Sequence, residues 1–296
     1  MQVLVPRGEL GWDAIVQLYD EDRVVEAFEA AKVAGLGPTA SMAQWYRTLE
    51  AEAITRERAR IEPLDRLLNL EFIPDEADGL QSSVLQAVGH ASGTLLYEPA
   101  VSALITILAE EADAPWATHP GGYASPRVPY IKVCIPHRVS RSHEELRKTV
   151  SHEFAHVITM QYTKDEAPRW VEEGVSVFVE NTFDPVDRED FASGQIEWLD
   201  WEELESEFGL PDDTPEDQDA LWIAYQQAGW VIRFLADKYG LQKLAEFLKQ
   251  HGDESFWRNF AAGLQGQTRT DEAMRRVFGF TVDHAFAEAL EYLRTA

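Results

Sequence analysis

Two histidines and a glutamate set the chemical question for this chain. They fall in the run His152-Glu153-Phe154-Ala155-His156. On a helix about 40° would separate the two imidazoles around the axis, so both can reach one ion. Histidines at i and i+4 with a carboxylate beside them suit a catalytic zinc: the imidazoles bind the metal and Glu153 works the bound water. The bland alternative is a solvated helix face carrying two unconnected histidines. A catalytic zinc also needs a third protein ligand and an open position. Cys134 is the single cysteine, so neither an intrachain disulfide nor a cysteine-based zinc site can form, and the remaining ligand must be His, Asp or Glu. The run Arg169-Trp170-Val171-Glu172-Glu173-Gly174-Val175-Ser176-Val177-Phe178-Val179-Glu180 offers two adjacent carboxylates, Glu172 and Glu173. The expected cofactor is one Zn²⁺ per chain.

A helix from about His143 to Tyr162 must position the pair. Ser142 opens it, with Glu145 three residues later completing a capping box. Leu146, Val150, Phe154 and Ile158 share an arc roughly opposite the histidines, so the helix buries an apolar stripe and offers His152 and His156 to a cleft. Pro168 starts the next helix, through about Asn181. Strands are expected at Val101 to Leu108 and Tyr130 to Ile135, ahead of the histidine helix. From Trp12 to about Leu70 the pattern is helical, with Gly35-Leu36-Gly37-Pro38 closing a second helix and a third running from Ser41 to about Arg60. Ser82 to Val88 reads as one short helix among glycine-rich loops. Phe183 to Asp219 reads as a long acidic excursion with one short helix near Trp201 to Phe208. Helices are expected again at Ala220 to Tyr239, Leu241 to Gln250, Asp271 to Phe278 and Val282 to Leu293. Two strands among many helices make an α+β fold, with a helical N-terminal subdomain over residues 1–80 and a second domain over residues 81–296.

Composition narrows the partners. In 296 residues there are 52 acidic and 26 basic side chains, a formal net charge of −26. That balance removes a general electrostatic footprint for nucleic acid and favours basic peptides over polyanions or anionic membranes. The longest apolar run, near Val101 to Ala109, is too short to span a bilayer. Met1 to Leu10 lacks the basic start and apolar core of a secretory signal. These features predict a soluble cytoplasmic protein with neither nucleic acid nor membrane as partner.

The two helices together resemble the gluzincin metallopeptidases. The nearest likeness is to bacterial families with a peptidase MA-like domain, relatives of thermolysin and of a group of zinc aminopeptidases, and it covers roughly Val101 to Leu293. The resemblance implies a zincin-like peptidase domain and a zinc-dependent peptidase acting on a peptide or protein substrate, with Glu153 as general base. In that family the third ligand is a Glu directly before a Gly on the second helix, which falls on Glu173; Glu172 lacks the following Gly. Glu180 matches an acidic position whose role would be to orient a histidine. Tyr225-Gln226-Gln227-Ala228-Gly229 is similar to a Tyr-x-Lys-Gly segment whose Tyr hydrogen-bonds the developing oxyanion, which makes Tyr225 a catalytic candidate, with Gln227 in place of the Lys. Gly121-Gly122-Tyr123-Ala124 stands where the family places its substrate-binding edge strand, without the Glu that holds a free amine in the aminopeptidases. The mode of cleavage stays open on that ground. The helix pair before Pro38 resembles a single tetratricopeptide unit and would offer a surface to a protein partner. The rival from another class is a catalytically inactive zincin-fold scaffold, or a protein-binding module engaging its partner through the helical N-terminus.

Overall fold

The structure is a computed structural model that describes residues 12–35, 43–74, 79–110, 122–209, 215–252 and 269–295. The chain divides into two compact units, one of residues 1–88 and 99–153, the other of residues 89–98 and 154–296.

The first unit opens with α1 (Trp12–Asp20), α2 (Val24–Val33) and α3 (Ala43–Arg58). Their apolar stripes meet in one cluster of Ile15, Tyr19, Val24, Ala27, Ala30, Ala31 and Leu49. The helical pattern expected to reach Leu70 stops earlier. Residues 60–72 form an antiparallel hairpin of β1 (Arg60–Asp65) and β2 (Leu68–Phe72). Burial of β2 decides this segment: Leu68, Leu70 and Phe72 are buried, Glu71 with them, while β1 stays largely exposed, and Pro63 is tolerated because β1 is an edge strand. α4 (Leu80–Thr94) is longer than the short helix expected and runs through Gly89 and Gly93. Its buried residues Leu80, Val84, Ala87 and Ala91 offset the cost of about 1 kcal/mol that each helical glycine carries.

β3 (Ala103–Ile107), β4 (Tyr123–Pro126) and β5 (Ile131–Ile135) complete a five-stranded mixed sheet in the order β1-β2-β3-β5-β4. The sheet takes strands from both sides of residue 80. β2, β3 and β5 run parallel, with Leu68 beside Ala103 and Ala103 beside Ile131. β4 lies antiparallel to β5 at the edge, with Tyr123 opposite Cys134. Every residue of β3 and β5 is buried, as central parallel strands require.

One of those residues is Lys132, with 0 % exposure. Its ammonium lies 2.7 Å from Glu52 on α3 and 3.0 Å from Asp22 after α1. Arg56 bridges Asp22, at 2.6 Å, and Glu71 on β2. Arg127 lies 3.6 Å from Glu52 and stacks over the Tyr19 ring. Tyr19 and Tyr123 donate to Glu52, Tyr130 to Asp22, and Thr106 to Glu71. Three carboxylates thus face three cations. Burial works against the Lys132 charge, but Glu52 and the neighbouring carboxylates outweigh it and hold the ammonium above its ordinary range.

The second unit is helical: α6 (His143–Thr163), which enters it from the first unit after α5 (His137–Ser140), then α7 (Arg169–Glu180), α8 (Pro185–Ser193), α9 (Trp201–Glu207), α10 (Pro215–Tyr239), α11 (Leu241–His251), α12 (Arg269–Phe278) and α13 (Val282–Thr295). α7 lies directly on α10. A Cβ on Gly174 would stand 2.6 Å from the Ala228 carbonyl oxygen, and one on Gly229 would stand 2.5 Å from Val177 Cγ1. Two buried glutamines of α10 pin the excursion that follows α7. Gln226 accepts from the Asp184 N–H and donates to Thr182 O; Gln227 does the same for the N–H and C=O of Leu199. Within that excursion α8 was not expected; its Asp184 N-cap, Pro185 and left-handed Gly194 C-cap account for it. The result is an α+β protein of mostly helices with a small mixed sheet. No described helix is long and apolar enough to cross a membrane.

Candidate metal centre

α6 begins with the Ser142 half of the expected capping box; the Ser142 N–H goes to the Val139 carbonyl. Ser142 Oγ accepts the Glu145 N–H at 3.3 Å, and Leu146, Val150, Phe154 and Ile158 are all buried. The other arc leaves His152 and His156 half-buried. Glu153 is only 4 % exposed, low for a carboxylate. The chain entering β4 passes against it: a Cβ on Gly122 would come within 3.0 Å of Glu153 Cγ and 2.4 Å of the Cys134 carbonyl oxygen. Glycine here lets the edge strand and the glutamate share one space.

α7 supplies the acid. Its N-cap, Pro168, makes no side-chain cap. The carboxylate of Glu205 on α9 caps the helix instead, taking the Arg169 and Trp170 N–H groups at 3.0 Å each. One turn on, Glu173 is 4 % exposed and holds two partners. Arg169 Nη2 donates to its Oε1 at 2.8 Å, and its Oε2 lies 3.2 Å from His156 Nε2.

One ligand atom from each of His152, His156 and Glu173 lies within 4.8 Å of the others. Donors around a tetrahedral zinc stand about 3.4 Å apart for metal–ligand bonds of ~2.1 Å. Two imidazole nitrogens and one carboxylate oxygen at this spacing therefore fit a zinc ion in number, type and reach. Among the described residues this is the group of His, Cys, Asp and Glu that could hold a metal.

Glu172 lies outside that group. Burial pushes its carboxyl up to about 7, with Asp165 and Glu173 adding to the effect and His156 and Arg169 opposing it. Tyr225 is half-buried on α10, edge-on to Phe208. Gln227, where the family pattern has Lys, is the buried backbone clamp on Leu199. Glu180 ends α7 half-buried, two turns from Glu173. Of the other histidines, His90 meets the Val179 carbonyl, His143 meets Ser83 and His251 meets Phe247 O and Thr270; His119 lies outside the described residues. Two residues at the centre were not anticipated. Arg169 stands four residues before Glu173, a spacing that a helical reading exposes. Glu205, more than thirty residues away in sequence, leaves no such signal.

No curated protein matches the chain. A family model does: that of the Peptidase MA superfamily matches residues 117–289, more than half of the chain, and takes in β4, β5, the histidine pair, Glu173 and Tyr225. On that match, with three side chains that could hold a metal gathered at one point of the matched segment, the chain belongs to the Peptidase MA superfamily.

Proposed function

We propose that this protein is a zinc metallopeptidase with a zincin-like fold, hydrolysing a peptide or protein substrate. The observation that carries the proposal is the convergence of His152, His156 and Glu173 within 4.8 Å, in a chain of a peptidase superfamily. These three side chains would hold the ion. When bound, zinc supplies Lewis acidity, which polarises a carbonyl and makes water acidic near neutral pH.

The rest falls to the chain. Glu153, beside His152, takes the proton of the attacking water as general base and returns it to the leaving amine. Its burial keeps competing solvent away from that step. Arg169 occupies one oxygen of Glu173, leaving the oxygen that faces His156 for the metal. Tyr225 donates a hydrogen bond to the oxyanion as negative charge develops, the point at which such a donor accelerates the reaction.

The test is metal content and chelator-sensitive cleavage of a mixed-sequence peptide library by the purified full chain. One zinc per chain is expected, with Glu153→Gln retaining zinc and losing turnover. Protein that takes up no zinc after loading would sink the proposal. Zinc without cleavage, together with a stable partner in pull-down, would point to the scaffold reading instead.

A further inference from the structure

We infer that Glu205 is a positioning residue for Glu173, and that α9, which carries Glu205, holds the Glu173-bearing helix in register. The inference rests on the zinc reading above and extends it to residues outside the ligand set. A helix leaves its first N–H groups without intrahelical partners, and α7 has only Pro168 at its N-cap, with no side chain to offer them. Glu205 takes two of these groups with both carboxylate oxygens, at 3.0 Å each. A negative charge at that end also complements the helix dipole.

Those two bonds are made at Arg169 and Trp170. Arg169 is the residue whose guanidinium grips Glu173, and Trp170 is fully buried, edge-on to Phe286 of α13. Glu205 thus fixes the backbone from which both the ligand and its grip project. α9 is itself fixed at its start. Asp200 and Glu203 form a reciprocal capping box, and the preceding Leu199 is held by Gln227 through both of its backbone groups. A continuous set of hydrogen bonds therefore runs from buried α10 through α9 to the turn that carries Glu173. Groups that orient ligands in this way set metal affinity.

The experiment measures zinc affinity of the full chain by competition with a chromophoric chelator, alongside thermal unfolding of the metal-free protein. Glu205→Ala should weaken zinc binding about 10- to 100-fold, and Glu205→Gln, which keeps one acceptor, by less. Asp184→Ala is the control. It removes the N-cap of α8 in the same excursion without touching α7, and should leave zinc affinity unchanged while lowering stability. Wild-type affinity in Glu205→Ala, or an equal loss in Asp184→Ala, overturns the inference. Should Glu205→Ala fail to fold, Glu205→Gln decides by the same comparison. Absence of zinc binding in the wild-type chain would instead remove the reading beneath, and the inference with it.

Discussion

Gly174 follows Glu173, the proposed acidic ligand, and the structure gives that glycine a mechanical reason. An added Cβ would stand 2.6 Å from Ala228 O, 2.9 Å from Ala228 C and 2.9 Å from Ile232 Cγ1. Two of those atoms are backbone and cannot swing aside. To restore an ordinary contact of 3.4 Å, α7 and α10 must part by about 0.8 Å, and overpacking of this kind costs about 1–3 kcal/mol. Replacing a helical glycine by alanine returns about 1 kcal/mol of helix propensity. The metal-free Gly174→Ala protein should therefore be less stable by about 0–2 kcal/mol in urea. The displacement acts directly on Glu173 and exceeds the ~0.5 Å tolerance of a preorganised site, so zinc affinity should fall about 10- to 100-fold. Gly89 on α4 is the internal comparison: nothing lies within 4 Å of its added Cβ, so Gly89→Ala should gain up to ~1 kcal/mol. If Gly174→Ala raised the urea midpoint as Gly89→Ala does, and bound zinc like wild type, the close packing of α7 on α10 would not be what places Glu173.

Gly122→Ala should force β4 away from the Cys134 carbonyl or displace Glu153; turnover falls at least about 10-fold while zinc stoichiometry stays at one, and unchanged turnover refutes it. Lys132→Met leaves Asp22, Glu52 and Glu71 facing two cations in place of three and should cost about 3–5 kcal/mol, read from the urea midpoint; an unmoved midpoint would deny the ammonium its role. Burial pushes the His251 imidazole down to about 4, with Arg269 adding and the Phe247 carbonyl opposing. Between pH 6.5 and 4 the unfolded chain therefore binds a proton that the folded chain does not, and stability falls as pH falls across that window, by up to about 3 kcal/mol. His251→Gln should flatten that slope in urea titrations at successive pH values, and an identical slope would contradict the assignment.

Local order was readable where one periodicity or one cap governs. α6 is an example: Ser142 and the stripe Leu146, Val150, Phe154, Ile158 define its start and its buried face before any tertiary contact is known. The i, i+4 spacing of His152 and His156 sets them on one face for the same reason. The hairpin at 60–72 was not legible, because the charged residues of β1 suit an exposed helix as well as an exposed edge strand. Only pairing with β2 separates the two. α8 carried its own signals in Asp184, Pro185 and Gly194, but the acidic composition around them spoke for a loop. Lys132 lies in a strand that reads as buried, and what permits a lysine there comes from positions 22, 52 and 71. The grip on Glu173 divides in the same way. Arg169 is one helical turn away, whereas Glu205 arrives through the path of the chain.

The ion cluster beneath the sheet also limits how this chain can be cut. The segment that matches the family, residues 117–289, holds β4 and β5 but none of α1 to α3 and none of β1 to β3. Excised, it would carry Lys132 without Asp22, Glu52 or Glu71, and β5 without its parallel neighbour β3. Such a fragment would face water along a bare strand edge with an orphaned ammonium, the conditions under which isolated sheets aggregate. Homology therefore marks out less than can fold alone. A piece that keeps Lys132 paired must include Asp22, Glu52 and Glu71, so the N-terminal helices belong with the sheet as a matter of electrostatics.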